Sequence, residues 1–311
     1  MIKRTLYFGN PAYLSLKLKQ LVIQMPDAQG DMPDFGTPDE YTVVKTVPIE
    51  DIGFIVLDHP QITVTQALIS SLLENNCAVI TCDTKHLPTG LLLPLCGNTI
   101  QNERFRHQIN ASLPLLKQLW QQTVSYKIRN QASILRYTTG EIHNNMLIWS
   151  NQVRSGDVDN MEARAAAYYW KTIFPDNASF IRGQDEGGPN TLLNYGYAIL
   201  RAIVARSLVA SGLLPTLGIH HHNRYDAYCL ADDIMEPYRP YVDRIVYDML
   251  QDDCGCELSR DNKARILELP TVDVIIDGLR RPLMVAVGVT TTSLSKCFSG
   301  SQRKLIYPEI N

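Results

Sequence analysis

The sequence lacks several features that would fix its class at once. It has no excess of positive charge, because 29 Lys and Arg residues face 32 Asp and Glu residues and the formal net charge is −3. If the partner is a nucleic acid, the basic residues must therefore be gathered on one surface. No apolar run approaches about 18 residues, and the N-terminus MIKRTLYFGN has no signal-type apolar core. The sequence thus predicts no membrane segment.

Cysteine is scarce and scattered. The seven cysteines are odd in number and include no Cys-x-x-Cys pair. This pattern argues against both a disulfide framework and a thiolate zinc site. It is typical of a protein in a reducing compartment, so the predicted location is the cytoplasm.

Several well-known catalytic motifs are also missing. The sequence contains no G-x-S-x-G elbow, no G-x-x-x-x-G-K-[ST] loop, no H-E-x-x-H helix and no G-x-G-x-x-G after a strand. These absences argue against an α/β-hydrolase, a P-loop nucleotidase, a zincin protease and a dinucleotide-binding enzyme.

The first third of the chain has the pattern of a β-rich domain. Short apolar segments alternate with turns that contain Pro, Asn and Asp. The strand-like segments are RTLYF, YLSLKLKQLVI, YTVVKTV, GFIVLD, QITVT and CAVITC. Gln66–Asn76 is the exception, because its apolar residues recur at helical spacing and predict one short helix. Ala28–Glu40 is rich in Pro, Gly and Asp and is predicted to form a mobile loop.

After about Asn98 the apolar period becomes that of α-helices. His107–Tyr137 carries the broad apolar stripe of a long amphipathic helix. Pro189–Leu213 contains few charges, as expected for a buried central helix. Another amphipathic helix is predicted after Pro240, and Asp277-Gly278 between apolar segments indicates a hairpin.

These patterns predict an α+β protein with two domains. The length of 311 residues exceeds the usual size of one domain, and 45% apolar residues are ample for a core. We expect residues 1–97 to form a β-rich, sandwich-like domain and residues 98–311 to form a larger, mainly α-helical domain.

The most informative stretch is GIHHHNRYDAYCLADDIMEP, in which three histidines precede three acids. Asp233 and Glu236 are spaced to project from one face of a helix, where like charges repel unless a cation or water separates them. The stretch is therefore either half of a metal site or a solvated acidic helix end. Glu162 lies in the first turn of another predicted helix, which Asp159 or Asn160 could cap. There its negative charge could interact favourably with the helix dipole or bind a metal. Two carboxylates and an imidazole would suit Mn²⁺ or Mg²⁺ and phosphoryl transfer.

Three segments carry a resemblance to a known family. They are NMEARAAAYYWKTIF, PNTLLNYGYAILRAIVARSLVASGLLPTLGIHHHN and ADDIMEPYRPYVDRIV. In this order and spacing they resemble the CRISPR-associated adaptation integrases, the first-numbered family of Cas endonucleases. The likeness extends to YFGNPAYLSLKLKQLVI, PIEDIGFIVLD and ITCDTKHLPTGLLLP, and so covers nearly the whole chain. DIMEPYRP and NYGYAILRA are most similar to members that accompany an RNA-guided, type II system.

The resemblance implies a metal site and a reaction. The implied metal ligands and catalytic residues are Glu162, His221 and Glu236. Asp233 is a secondary acid of the same motif. The family's Gly-Leu/Ile-x-His step selects His221, and His220 or His222 is the alternative ligand. With Mg²⁺ or Mn²⁺ bound, such an enzyme inserts new spacers into a CRISPR array by attack of a DNA 3′-hydroxyl on a phosphodiester at a repeat boundary.

The resemblance also implies partners. The chain is expected to form a homodimer through its β-rich domain, and two dimers are expected to flank a small ferredoxin-like partner in a four-plus-two complex. That complex would carry double-stranded DNA, both the spacer precursor and the CRISPR repeat, and the RNA-guided effector nuclease is a further candidate partner. Basic residues of the helical half are expected to contact phosphates. They are Arg104, Arg106, Lys127, Arg129, Arg164 and Arg201.

Two other functions remain open from the residues alone. One is a non-catalytic DNA-capture scaffold whose acids bind no metal. The other is an unrelated metal-dependent phosphohydrolase of small nucleotides. Strand transfer that depends on Mn²⁺ would separate the integrase from both.

Overall fold

The computed structural model of the chain describes residues 3–26, 41–174, 180–183 and 187–310. The chain divides into two compact units, Met1–Leu95 and Cys96–Asn311. The first unit is rich in strands and the second is mainly helical, which confirms the predicted α+β class. The loop predicted for Ala28–Glu40 lies outside the described residues.

The described part of the N-terminal unit contains two four-stranded sheets and one α-helix. Its elements are β1 (Arg4–Phe8), β2 (Ala12–Lys17), β3 (Gln20–Pro26), β4 (Tyr41–Pro48), β5 (Ile52–Leu57), β6 (Ile62–Val64), α1 (Gln66–Glu74), β7 (Ala78–Cys82) and β8 (Pro88–Leu92). One sheet has the order β1-β5-β7-β8 and the other β4-β3-β2-β6. Residues of both sheets and of α1, such as Leu14, Ile55 and Leu68, belong to one buried apolar cluster, so this unit has its own core.

Two features of this unit differ from the predicted strands. The segment YLSLKLKQLVI is a hairpin, because the chain turns at Leu18 and Lys19, whose φ angles are +50° and +59°. Positive φ at both central residues suits the right-handed twist of a hairpin, but the usual Asn-Gly signal is absent. The strand β8 was not predicted, since its Pro88 and Gly90 are residues that strands usually exclude.

The C-terminal unit is mainly helical. Its helices are α2 (Gln101–Ile109), α3 (Leu113–Thr139), α4 (Asn144–Gln152), α5 (Met161–Thr172), α6 (Pro189–Ala210), α7 (Cys229–Met235), α8 (Arg239–Gln251), α9 (Arg260–Ile266) and α10 (Leu283–Phe298). A small sheet of β9 (Asp273–Ile276), β10 (Leu279–Pro282) and β11 (Pro308–Glu309) has the order β10-β9-β11. The hairpin predicted at Asp277-Gly278 is confirmed by the pairing of β9 with β10.

The helix predicted over His107–Tyr137 is two helices. The helix α2 ends at Ile109, and α3 begins at Leu113 with Pro114 in its first turn. Proline is favoured there because the first turn leaves its N–H groups without intrahelical partners, so the missing donor of proline costs nothing. The break lets α3 run through the unit, where it packs against α4, α5 and α8.

The helix α6 is the buried central helix that the sequence predicts. It packs against α7, α8 and α10, and most of its length is buried. At Gly196 a Cβ atom would lie 2.4 Å from Val242 Cγ1, so only glycine allows α6 and α8 to approach this closely. Among the described helices, α6 alone is long and apolar enough to cross a membrane, but 78% of its apolar window is buried inside the protein. Such burial is the property of a core helix.

Candidate metal centre

Glu162 lies in the first turn of α5, and a carboxylate fixes the start of that helix. Asp157 accepts a hydrogen bond from the backbone N–H of Glu162 at 3.0 Å and another from the preceding residue at 2.9 Å. The cap therefore comes from Asp157 and not from Asp159 or Asn160, as the sequence had predicted. Asn160 occupies the N-cap position without a side-chain hydrogen bond to the helix. The capped first turn holds Glu162 in a defined place, because two of its otherwise unpaired N–H groups are satisfied.

The histidine loop is organised around Asp233, which is fully buried on α7. Its Oδ2 accepts hydrogen bonds from the backbone N–H groups of Ile219 at 2.7 Å and His220 at 2.9 Å, and its Oδ1 lies 2.5 Å from Nδ1 of His221. Gly218 makes this fold of the loop possible. A Cβ atom there would lie 2.3 Å from the carbonyl oxygen of His221 and 2.8 Å from Asp233 Oδ2. Close packing of the loop thus requires glycine at position 218.

His221 and His220 have different environments. The ring of His220 stacks on buried Trp120 with a centroid distance of 4.1 Å and an interplanar angle of 1°. Burial, together with the neighbouring charge of His221, lowers the pKa of His220. The hydrogen bond to Asp233 raises the pKa of His221, whose side chain is 45% exposed. In the neutral ring, an Nδ1–H that donates to Asp233 leaves Nε2 as the nitrogen with a lone pair for a metal.

Glu236 lies in the buried turn that follows α7, between two basic side chains. Its Oε1 accepts a hydrogen bond from Arg239 Nε at 2.9 Å, and its Oε2 lies 2.5 Å from Lys127 Nζ. Burial would raise the pKa of Glu236, but Arg239 and Lys127 outweigh that effect and lower it to about 2. Glu236 is therefore ionised at neutral pH.

Lys127 connects the two glutamates. Its Nζ atom lies 2.6 Å from Glu162 Oε1 as well as 2.5 Å from Glu236 Oε2. Burial lowers the pKa of Lys127, but the charges of Glu236 and Glu162 more than offset this and raise it. A positive charge therefore lies at the point where the two carboxylates converge.

The three acids of α7 and the following turn do not share one partner. Asp232 receives two hydrogen bonds from Arg201, at 2.6 and 2.8 Å, whereas Asp233 holds the histidine loop and Glu236 faces Lys127. The helix α7 ends at Met235, and the tighter turn that begins at Glu236 changes the direction of that side chain. The expected repulsion between acids on one face is thus replaced by separate interactions with hydrogen-bond donors.

Two carboxylates and an imidazole are chemically suitable ligands for a divalent cation. Glu162 and Glu236 converge on a cation, and the charges of both raise the pKa of His221, so the three groups lie in one electrostatic neighbourhood. The oxygen Glu236 Oε2 is buried and accepts no hydrogen bond of regular geometry, although Lys127 lies beside it. Among the described residues, no three His, Cys, Asp or Glu groups stand at metal-binding separation. The ammonium group of Lys127 lies between the facing oxygens of Glu162 and Glu236.

The six predicted phosphate contacts fall into different environments. Lys127 is buried between the glutamates, Arg201 is paired with Asp232, and Arg104 donates to the carbonyl oxygen of Ser211 at 2.6 Å. Arg106, Arg129 and Arg164 are exposed on the helical unit. Arg164 lies over the ring of Trp149 at 4.6 Å, and Arg129 donates to Asn151 at 2.9 Å. The assignment of these residues as phosphate contacts stays a prediction.

The site has members that the sequence did not assign to it, including Lys127, which was predicted to contact phosphates. A cavity of about 280 Å³ adjoins Glu236 and is lined in part by Lys127, Gln131, Arg182, Arg239 and Asp243. The spacing of Arg239, three residues after Glu236, could have suggested an ion pair. Nothing near Lys127 or Trp120 in the sequence points to the site, because their partners lie far along the chain.

Comparisons with known proteins agree on one family. The sequence model of the family described as CRISPR associated protein Cas1 matches residues 6–254. The CRISPR-associated endonuclease Cas1 of Neisseria meningitidis serogroup C is 34% identical over 313 residues, which cover 100% of this chain and 97% of that protein. The predicted family is confirmed by these matches.

Solved structures show the same fold. A casposase bound to integration product superimposes with a TM-score of 0.74 at 20% identity, covering 98% of this chain and 92% of that one. A chain of a Cas6-RT-Cas1–Cas2 complex gives a TM-score of 0.72 at 17% identity and covers 100% of this chain but 36% of its own length.

The assignment of Glu162, His221, Glu236 and Asp233 to the site stays a prediction.

Proposed function

The chain belongs to the CRISPR-associated Cas1 family of endonucleases, and we propose that it is a metal-dependent integrase that inserts spacer DNA into a CRISPR array. We further propose that Glu162, His221 and Glu236 hold one Mg²⁺ or Mn²⁺ ion. The family supports nuclease and integrase chemistry in general terms.

One observation carries the proposal. Two glutamates from distant parts of the chain converge on a single positive charge, and beside them an imidazole is oriented through Nδ1 by a buried carboxylate. A carboxylate that holds the Nδ1 side of a histidine is the usual outer partner of a metal-binding imidazole. In a solvated acidic helix end the carboxylates would be exposed to water. Asp233 and Glu236 are instead buried and surrounded by fixed hydrogen-bond donors.

The side chains have separate tasks in this proposal. Asp233 keeps the proton of His221 on Nδ1 and leaves Nε2 as a ligand, while Arg239 holds one oxygen of Glu236 and leaves the other for the cation. When bound, the ion would lower the pKa of the attacking hydroxyl and balance charge on the leaving oxygen. The DNA 3′-oxygen forms a bond to phosphorus as the repeat strand's P–O3′ bond breaks. The proton lost by the attacking hydroxyl balances the one gained by the leaving oxygen.

The partners proposed for the chain follow from the same function. Double-stranded DNA is the substrate and the target, and a homodimer would present two sites to the two ends of one spacer precursor. A structural neighbour is a Cas6-RT-Cas1–Cas2 complex, which supports a Cas2-type partner here; that this partner is small and ferredoxin-like and sits in a four-plus-two assembly is part of the proposal. An effector nuclease is a further proposed partner, and the cytoplasm is the proposed location.

A strand-transfer assay tests the function. A labelled duplex with free 3′-hydroxyls is incubated with a supercoiled plasmid that carries a CRISPR repeat, the chain, its small partner and Mn²⁺. We expect label to join the plasmid, and we expect Glu162→Gln and His221→Ala to abolish joining without loss of folding. The matched controls are Glu268→Gln, which changes an exposed glutamate of the same unit, and a duplex with 3′-deoxy ends, which cannot attack.

The same assay separates the alternatives. Duplex binding without strand transfer under any metal would indicate a DNA-capture scaffold. Hydrolysis of free nucleotides in the absence of duplex and partner would indicate a phosphohydrolase. Either result, or full transfer by Glu162→Gln, would refute the integrase proposal.

A further inference from the structure

Lys127 is the least expected feature of the candidate site. It lies in the middle of α3, with only 10% of its side chain exposed, and its Nζ atom lies 2.6 Å from Glu162 and 2.5 Å from Glu236. Both glutamates are also proposed metal ligands. A buried ammonium at these distances is strongly attracted to the two carboxylates, because little water screens the charges.

The ammonium and a divalent cation cannot share this position. Both need the facing oxygens of the same two glutamates, and two cations a few ångströms apart in a buried site repel each other. We propose that Lys127 is a built-in counter-ion that occupies the metal position in the metal-free protein and moves aside when the metal binds. This inference rests on the metal site of the proposed function.

The structure offers Lys127 a place to go. Gln131 lies four residues later on α3, so its side chain projects from the same face one turn along the helix. It is buried, and its Oε1 atom has no hydrogen-bond partner. Lys127, Gln131 and Asp243 all line the cavity of about 280 Å³ beside Glu236. An ammonium displaced into this cavity would meet an unpaired acceptor and a carboxylate.

This arrangement has consequences for the metal-free protein. Without a cation, Glu162 and Glu236 would face each other across the site, and Arg239 alone would balance two neighbouring negative charges, which is costly where little water screens them. Lys127 removes that cost and keeps the two carboxylates converged. In exchange, it weakens metal binding, because the metal must first displace the ammonium. Metal affinity is therefore set partly by a side chain that is not a ligand.

Titration with Mn²⁺, followed by electron paramagnetic resonance of the free ion, tests the inference on the full chain without DNA. We expect Lys127→Met to bind Mn²⁺ at least about tenfold more tightly than the unaltered chain, which corresponds to about 1.4 kcal/mol. We also expect its metal-free melting temperature to fall and Mn²⁺ to restore it. The matched control is Lys117→Met, which removes an exposed lysine from the same helix and should leave the affinity unchanged.

Two further variants separate the possible failures. Glu162→Gln, combined with Lys127→Met, should lose the tight binding. If Mn²⁺ binding depends on Glu162 but Lys127→Met binds no more tightly, the inference is wrong and the metal site stands. If neither variant affects Mn²⁺ binding, the proposed metal site is wrong and the inference fails with it.

A measurement on the unaltered chain covers the case in which Lys127→Met does not fold. Brief acetylation followed by mass spectrometry reports how accessible each lysine is. We expect Mn²⁺ to change the labelling of Lys127 and to leave that of Lys117 unchanged, because the ammonium moves from Glu162 and Glu236 to the cavity lined by Gln131 and Asp243. Equal labelling of Lys127 with and without Mn²⁺ would overturn the inference. The variant Gln131→Leu should in turn weaken Mn²⁺ binding without loss of metal-free stability, since the unpaired acceptor is removed.

Discussion

Asp233 and His221 are joined at 2.5 Å between Oδ1 and Nδ1, and the same carboxylate holds the backbone of the histidine loop. One buried acid therefore sets both the path of the loop and the orientation of the imidazole. This links the fold to the chemistry, because the tautomer of His221 depends on a side chain that is not a proposed ligand.

The first prediction concerns Asp233→Asn. The amide cannot accept hydrogen bonds at both oxygen positions, so the loop should loosen and stability should fall by roughly 1–3 kcal/mol. Metal affinity should fall about 10- to 100-fold. The pKa of His221, followed by NMR, should decrease, because the hydrogen bond to Asp233 is the main cause of its elevation. Asp232→Asn is the control, since Asp232 pairs with Arg201; an unchanged pKa of His221 in Asp233→Asn would contradict the account.

The second prediction separates the histidines. His221→Ala should lose Mn²⁺ binding and strand transfer, whereas His220→Ala should keep both, because the ring of His220 lies against Trp120. The loss of that stack should cost only about 0.5–1.5 kcal/mol of stability. Calorimetric metal titration of the two variants and of His222→Ala provides the comparison. Loss of binding in His220→Ala with retention in His221→Ala would reverse the assignment.

The third prediction concerns the basic residues and salt. Arg129→Gln and Arg106→Gln each remove an exposed charge. When the logarithm of the DNA-binding constant is plotted against the logarithm of the salt concentration, the slope of a variant that loses one phosphate contact should be smaller in magnitude by about 1. Arg201→Gln should change the slope less, because Arg201 is already paired with Asp232. Fluorescence anisotropy with a labelled duplex at several salt concentrations measures each slope. A larger effect of Arg201 than of both exposed arginines would contradict the proposed surface.

The fourth prediction concerns Asp243 and pH. Burial raises the pKa of Asp243 from 3.8 to about 6, against hydrogen bonds from Tyr169 and Tyr197. The folded chain thus holds this proton more tightly than the unfolded chain does, so the contribution of Asp243 to stability is greatest at low pH and declines as pH rises through about 6. Asp243→Asn removes that decline.

Urea unfolding of both chains at two pH values checks the sign. Between pH 5 and pH 7 the stability of Asp243→Asn relative to the unaltered chain should rise by roughly 1.4 kcal/mol. Comparing the two chains cancels the contributions of other titrating groups to the pH dependence of stability. One such group is Glu236, whose lowered pKa makes its own contribution to stability increase with pH. A relative stability that stays constant or falls over this range would show that Asp243 is ionised throughout.

Much of the fold follows from local pattern, and the exceptions have physical causes. The helices α1 and α6 were predicted because apolar spacing and terminal residues agree. The turn at Leu18 and Lys19 was missed, because neither residue is a typical former of that turn. The break between α2 and α3 was missed, since the apolar period continues across it.

The residues of the candidate site likewise include some that the sequence predicts and others that it does not. The sequence motifs, through the family that they resemble, point to Glu162, His221 and Glu236. The role of Lys127 could not be predicted, because its partners lie 35 and 109 residues away along the chain and are brought to it only by the packing of α3. Asp157 was missed as a cap for a more local reason, since Asp159 and Asn160 have the same capping chemistry.

The proposed metal site can be located in crystals of the chain soaked in Mn²⁺ and measured at the manganese absorption edge. We expect one strong anomalous peak bounded by Glu162, Glu236 and Nε2 of His221, with the ammonium of Lys127 moved away from both carboxylates. An anomalous peak at other residues, with Lys127 still between the two glutamates, would contradict the proposed site.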